Sequence, residues 1–339
     1  TGGVMTWYCD GNITARNLVA TGNDGSDEIE LPGCSVSAGR WDLGGAGIPV
    51  RVTDHVEIPT GGLLSLAPGT TLRFDKHQYG GPTYLRVRDQ AALYALGTAE
   101  QPIVFTGAIT EAGWWLGIEA SYDNAAVILR HCEVAYGGGS SGYANLYIRG
   151  NATASPSPVL IQNCDIHHSA EVGVRLKYVT EPPVFRNNNI HDNVLKGVTN
   201  EDAPDLDARD NWWGDVSGPY HPTLNPDGLG DEVGDSVIFD PWLAAPPTGE
   251  GVSGDMLINT GAPIRVSPGQ VVDYAIQYVN GMTETVENAL LVVQLPRSAE
   301  YVTSTGGGIY WPERDQVFWS LGDLAPGAAD YLVFTVRFE

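Results

Sequence analysis

Apolar and polar residues alternate along most of this chain in short runs. Val50-Arg51-Val52, Val56-Glu57-Ile58, Thr71-Leu72-Arg73-Phe74, Leu85-Arg86-Val87 and Ile103-Val104-Phe105-Thr106 each place apolar side chains on every second residue. That period marks a strand with one buried face, and Pro68-Gly69-Thr70 and Gly97-Thr98 supply the turns between strands. No run approaches the roughly 20 apolar residues that a membrane-spanning helix needs, so membrane insertion is not expected.

The second signal is a repeat. Arg130-His131-Cys132-Glu133-Val134, Gln162-Asn163-Cys164-Asp165-Ile166, Arg186-Asn187-Asn188-Asn189-Ile190 and Arg209-Asp210-Asn211-Trp212-Trp213 align without gaps, and the first three follow a short apolar strand. Two are followed by a second, glycine-bearing strand, Val172–Leu176 and Lys196–Thr199, and Tyr143–Ile148 fills that place in the preceding repeat. A period of roughly 23–32 residues is that of a solenoid coil, which buries its apolar side only by stacking on its neighbours. The expected fold is all-β: a right-handed parallel β-helix over residues 41–243, with about eight coils at about 4.8 Å each. Cys132, Cys164, Asn188 and Asn211 form one expected inward column, the asparagines hydrogen-bonding along the axis and the cysteines staying as buried thiols.

After Leu243 the composition changes. Ala244–Gly251 is rich in Pro and Gly, and residues 244–253 are expected to be a linker. Residues 254–339 carry longer alternating runs, among them Gln270–Asn280, Ala289–Leu295 and Tyr331–Val336, which suggest an immunoglobulin-like antiparallel sandwich. Residues 1–40 lack the repeat and are expected to be a cap, with a Cys9–Cys34 disulfide closing a Gly/Asp-rich loop.

The stretches Pro68–Phe74, Leu93–Thr106 and Gly113–Ile118 resemble the opening coils of secreted prokaryotic β-helix proteins, a group that includes pectate-lyase-like enzymes and periplasmic accessory proteins. The ending is similar to the same group: Asn211-Trp212-Trp213-Gly214, Ser217-Gly218-Pro219, Asn225–Val233 and Phe239–Leu243 follow its order. Val266–Gly269, Leu295-Pro296 and Leu321–Gly327 resemble a repeat module of prokaryotic surface proteins. The resemblance implies a fold and a secreted or cell-surface location; such coils serve enzymes and structural proteins alike.

Charge narrows the partners. The formal net charge is −23, with 18 basic against 41 acidic residues, and the only lysines are Lys76, Lys177 and Lys196. Nucleic acid and anionic membranes would be repelled, while hard cations such as calcium would find oxygen ligands. The first residues, from Thr1, show no secretory leader.

Several residue sets are candidates for chemistry. Aligning the second strands puts Tyr147, Arg175 and Thr199 in one outward column with Arg149 and Lys177 beside it, a stripe suited to an acidic polysaccharide; no matching acidic column is expected, which counts against a lyase. His167 aligns with His191 and His168 with Asp192, material for a transition-metal site or for ordinary turn residues. Asp227, Asp231, Glu232 and Asp235 offer oxygens to calcium, or simply cap the solenoid. Trp212 and Trp213 are expected to close the last coil rather than to serve as a sugar platform. Asn12 and Asn151 begin glycosylation sequons. The leading expectation is a secreted or surface structural or adhesive protein able to form a homo-oligomer or homopolymer. The alternatives are a carbohydrate-binding or polysaccharide-cleaving protein and a metal-handling accessory protein. Enzymatic activity is not the favoured reading, and no cofactor other than calcium is expected.

Overall fold

A computed structural model describes residues 13–14, 28–43, 48–89, 91–121, 125–150, 159–179, 183–247, 256–261, 266–280, 285–325 and 328–339. The chain divides into two compact units, Thr1–Gly249 and Glu250–Glu339. Among the described residues no helix is long and apolar enough to cross a membrane.

The first unit is a right-handed parallel β-helix made of three seven-stranded sheets. A typical coil runs from Leu63–Leu66 in the first sheet to Thr71–Phe74 in the second and Tyr84–Val87 in the third, then returns at Ala92–Leu96 to begin the next. Every strand pairs in parallel with its equivalents one coil above and below, for instance Leu64 with Leu93 and Leu93 with Val127. The alternation read from the sequence explains which face is inward: Leu72, Phe74, Leu85, Val87, Ile103 and Phe105 are all fully buried.

From His131 onward, columns of left-handed residues mark the bends of the later coils. His131, Asn163, Asn187 and Asp210 have φ between 45° and 57° where the first sheet turns into the second. Tyr136, His168 and Asp192 have φ of 62°, 54° and 57° where the second turns toward the third. Asn and Asp tolerate this region because their short polar side chains bond locally, which is why polar residues recur in register at the bends.

Inside the first bend lies the expected inward column. Cys132, Cys164, Asn188 and Asn211 are all at most 2% exposed. Asn188 Oδ1 accepts from the Cys164 N–H at 2.9 Å, and Asn211 Oδ1 accepts from Asn188 N at 2.8 Å and Asn188 Nδ2 at 3.0 Å. Cys132 and Cys164 are free thiols.

The solenoid begins earlier than Trp41. Ile29–Leu31, Cys34–Ser35 and Ala38–Asp42 pair with Val50–Val52, Val56–Ile58 and Leu63–Leu66, so residues 29–40 are a coil rather than a cap. Strands of two or three residues carry too little alternation to be recognised, although Ile29 and Leu31 are both buried. Cys34 packs half-buried against this first core; Cys9, its expected partner, lies outside the described residues, as do Asn12 and Asn151. At the other end the strands shorten to single bridges, Asn189 with Trp212 and Val198 with Val233, and Leu206–Asp207 pairs with Val237–Ile238.

The second unit has two antiparallel sheets. Met256–Gly261, Val271–Asn280, Ala329–Phe338 and Ala299–Ser304 form one, in that spatial order; Val286–Gln294, Gln316–Leu324 and Ile309–Trp311 form the other. Ile276, Val336 and Phe334 from one sheet share a core with Leu291, Val317 and Trp319 from the other.

Candidate functional site

The outward face of the third sheet carries the expected stripe. Tyr147, Arg175 and Thr199 occupy successive coils in register, and Arg149 stands beside Lys177. The column extends backwards, and it is acidic as well as basic: Glu57 aligns with Arg86, Arg86 with Glu119, and Glu119 with Tyr147. Lys177 aligns with Glu201. These are single glutamates alternating with arginine and tyrosine, and no two acidic residues stack on successive coils of the stripe. Glu57 and Glu119 lie outside the aligned repeat segments, and the loops before them vary in length; Glu201 ends the aligned strand Lys196–Glu201.

The charges in this column pair across coils. Arg86 donates to Glu119 from Nε at 2.9 Å and Nη2 at 2.7 Å. Arg88 grips both oxygens of Glu57 at 3.0 Å, which holds that carboxyl below the usual range. Glu201 receives Arg175 at 2.7 Å and Lys177 at 3.3 Å. Arg86 and Glu119 are only 18% and 14% exposed, so this pairing is partly sheltered from solvent.

At the second bend the histidines meet as their register requires. His167 pairs with His191 one coil away, and their rings stack at 5.0 Å and 11°. His168 Nδ1 lies 2.7 Å from His167 Nδ1. Both nitrogens of His191 are occupied, Nε2 by Asp165 at 3.0 Å and Nδ1 by Asp192 at 2.7 Å. The hydrogen bond to Asp165, reinforced by Asp192, pushes the His191 pKa up to about 9, and the same contact holds the Asp192 carboxyl down. Burial, with His167 adding to it, depresses His168. Among the described residues no group of three or more His, Cys, Asp or Glu is arranged to hold a metal ion.

The expected calcium ligands are held apart. Asp231 Oδ2 accepts from the backbone and side-chain nitrogens of Asn193, at 3.1 and 2.8 Å, and its burial raises its pKa. Glu232 pairs with Lys196. Asp235 reaches His221 at 3.4 Å while fully exposed itself, and Asp227 sits in an exposed turn.

Trp213 is fully buried at the end of the core, as expected for closure. Trp212 is half-exposed and does something else: with Asn189, His191, Asp192, Leu229 and Asp231 it lines a cleft of about 340 Å³. The cleft is not written in the repeat. It arises because the loop after Trp213 departs from the coil path, beginning at Gly214 with φ 93°. A Cβ on Gly230 would stand 2.2 Å from the Trp213 carbonyl, so only glycine lets the loop return closely enough to bring Asp231 to the cleft.

A family model described as right handed beta helix region matches residues 108–216. No curated protein and no solved structure matches the chain.

Proposed function

We propose that this is a secreted or cell-surface structural or adhesive protein, in which the β-helix is a rigid scaffold and the C-terminal unit an immunoglobulin-like assembly module. The observation that carries the reading is the self-pairing of the lateral face. Its arginines, lysine and glutamates engage one another between coils, as Arg86 does Glu119 and Arg175 does Glu201, and stiffen the stack. A lyase face would instead present carboxylates converging on a cation and a base left for the substrate.

Six coil spacings of about 4.8 Å make the seven-stranded part of the solenoid about 30 Å long. A Cys9–Cys34 bridge would clamp its beginning, and self-association would proceed through the second unit. There Val286–Gln294 and Ile309–Trp311 are edge strands, and Leu290, Val292, Ile309 and Trp311 point apolar side chains outward. An open edge strand of this kind pairs with a second copy.

Sedimentation and negative-stain microscopy of the full chain over rising concentration test this. Concentration-dependent ordered assemblies are expected. Release of unsaturated uronides from pectin or alginate would overturn the structural reading, and a strictly monomeric species at every concentration would overturn the assembly role.

A further inference from the structure

The cleft at the end of the solenoid joins an uncompensated negative charge to an apolar wall. His191 has a carboxylate oxygen on each ring nitrogen, Asp165 on Nε2 at 3.0 Å and Asp192 on Nδ1 at 2.7 Å. Carboxylates only accept, so both nitrogens donate and the ring is an imidazolium. Its one positive charge stands against three carboxylates, because Asp231 also lines the cleft. Lys196 does not redress the balance, since it is paired with Glu232.

Each of the two lining carboxylates has an oxygen to spare. Asp192 is 65% exposed and gives only Oδ2 to His191. Asp231 takes both Asn193 donors on Oδ2, at 3.1 and 2.8 Å, and its Oδ1 makes no hydrogen bond among the described residues. Burial chiefly raises the Asp231 pKa, and the Asp192 charge adds to it. The two carboxylates therefore feel each other across the cleft, a repulsion that a cation between them relieves.

The opposite wall decides the kind of cation. Leu229 is 79% exposed, Trp212 is half-exposed, and Pro246 joins them. A metal ion gains nothing from hydrocarbon and needs a shell of oxygens, which the described residues do not converge to supply. An ammonium on a methylene stem uses both walls: the carboxylates accept its N–H groups, the indole attracts its charge, and the stem lies against Leu229. The volume of about 340 Å³ is at the low end for small-molecule sites and fits one slender chain. We propose that this cleft binds the ammonium end of a primary alkylamine, held between Asp192 and Asp231 with its methylene stem on Trp212 and Leu229. A free diamine and the lysine side chain of another protein present the same chemistry. The site is separate from the lateral stripe and independent of self-assembly.

Calorimetric titration of the full chain tests this, with cadaverine for the free source and Nα-acetyl-lysine amide for the protein-borne one. Pentanol, glutarate and calcium chloride are the neutral, anionic and metal probes. At least one amine is expected to bind with Kd of about 0.1–3 mM, and the tighter of the two identifies the source. Asp192→Asn removes the charge with a residue that tolerates the left-handed φ of 57°, and is expected to weaken binding by about tenfold. Trp212→Ala is expected to weaken it by about fivefold, and Leu229→Ala, which trims an exposed side chain, by about twofold. Glu100→Gln, at an exposed charge in the turn after Leu96, should leave Kd unchanged, which separates the cleft from the general attraction of an acidic chain. The proposal is overturned if neither amine binds at about 5 mM, or if pentanol or glutarate binds more tightly than both. It is equally overturned if calcium, rather than either amine, is what Asp192→Asn ceases to bind, if Glu100→Gln weakens amine binding as much as Asp192→Asn, or if Asp192→Asn and Trp212→Ala both bind as the parent does.

Discussion

Truncating Asn188 to alanine isolates the contribution of the inward ladder. The side chain is fully buried and makes three hydrogen bonds: Oδ1 accepts from the Cys164 N–H at 2.9 Å, and Nδ2 donates to the Ile161 carbonyl and to Asn211 Oδ1, both at 3.0 Å. The variant leaves these partners in unequal states. Asn211 Oδ1 keeps the Asn188 backbone N–H, and the Ile161 carbonyl loses one donor. The Cys164 N–H is left with no acceptor in a dry core. A net loss of about 1 kcal/mol per hydrogen bond, rising to about 1–3 kcal/mol for an orphaned buried group, sums to about 2–4 kcal/mol. In a unit of this size each kcal/mol is worth about 2–4 °C, so melting should fall by about 5–15 °C. Asn189→Ala is the matched control. It deletes the same chemistry one residue along, on the half-exposed face, where the side chain makes one bond to Asp165; its cost should stay below about 1 kcal/mol. Thermal melting of both variants, with hydrogen exchange of the peptide containing Cys164, provides the assay. A fall no larger for Asn188→Ala than for Asn189→Ala, or an unchanged exchange rate at Cys164, would refute the ladder as a source of stability.

His191 should make stability pH-dependent. Its folded pKa of about 9 lies above the ordinary 6.5, so its contribution is complete below pH 6.5 and is lost as pH rises toward 9. The depressed Asp192 carboxyl adds the opposite limb below its ordinary value of 3.8. Discounted for the exposure of Asp192, the alkaline loss is about 1–2 kcal/mol; His191→Gln should flatten urea midpoints across that window, and an unaltered slope would count against the pair. Arg130 is 4% exposed, and its Nε and Nη1 have no hydrogen-bond partner among the described residues, so burial lowers its pKa. Arg130→Met should therefore stabilise the β-helix by about 1–2 kcal/mol, and a lower melting temperature would oppose that account. Because Asp231, Glu232 and Asp235 are each committed to a different partner, millimolar calcium or a chelator should leave the melting temperature within about 1 °C. A calcium-dependent rise of several degrees would show that the loop rearranges around the ion.

How much was legible in the sequence follows from what the coil repeats. Cys132, Cys164, Asn188 and Asn211 could be aligned because each stands immediately after a left-handed bend residue, at the entry to the second sheet, so one position recurs at the same place in each segment. The same rigidity places His167 over His191 and Tyr147 over Arg175, as the repeat spacing alone implies. Glu57 and Glu119 were missed because the loops before them differ in length; their register with Arg86 and Tyr147 exists only once those loops have closed, whereas Glu201 follows Thr199 in a strand already aligned and its register with Lys177 was open to reading. The coil at Ile29–Asp42 was missed for a different reason, since its strands are too short to show a period and owe their conformation to the coil above.

These two kinds of illegibility point to where function can reside in such a fold. A face that repeats is bound to its neighbours, because each side chain meets its own column one coil away. On the third sheet much of that opportunity is taken by ion pairs between coils, as by Arg86 with Glu119 and Arg175 with Glu201. The last coil has no successor. Its strand Asn189–His191 has only the single Trp212 bridge beyond it, and the chain leaves the repeat at Gly214 and comes back at Gly230. Residues there answer to no column, and the polar wall at His191 and the apolar wall at Leu229 can face each other across open space. The non-repeating end is therefore where side chains can change without destabilising the stack, and Leu229→Ala should leave the melting temperature within about 1 °C.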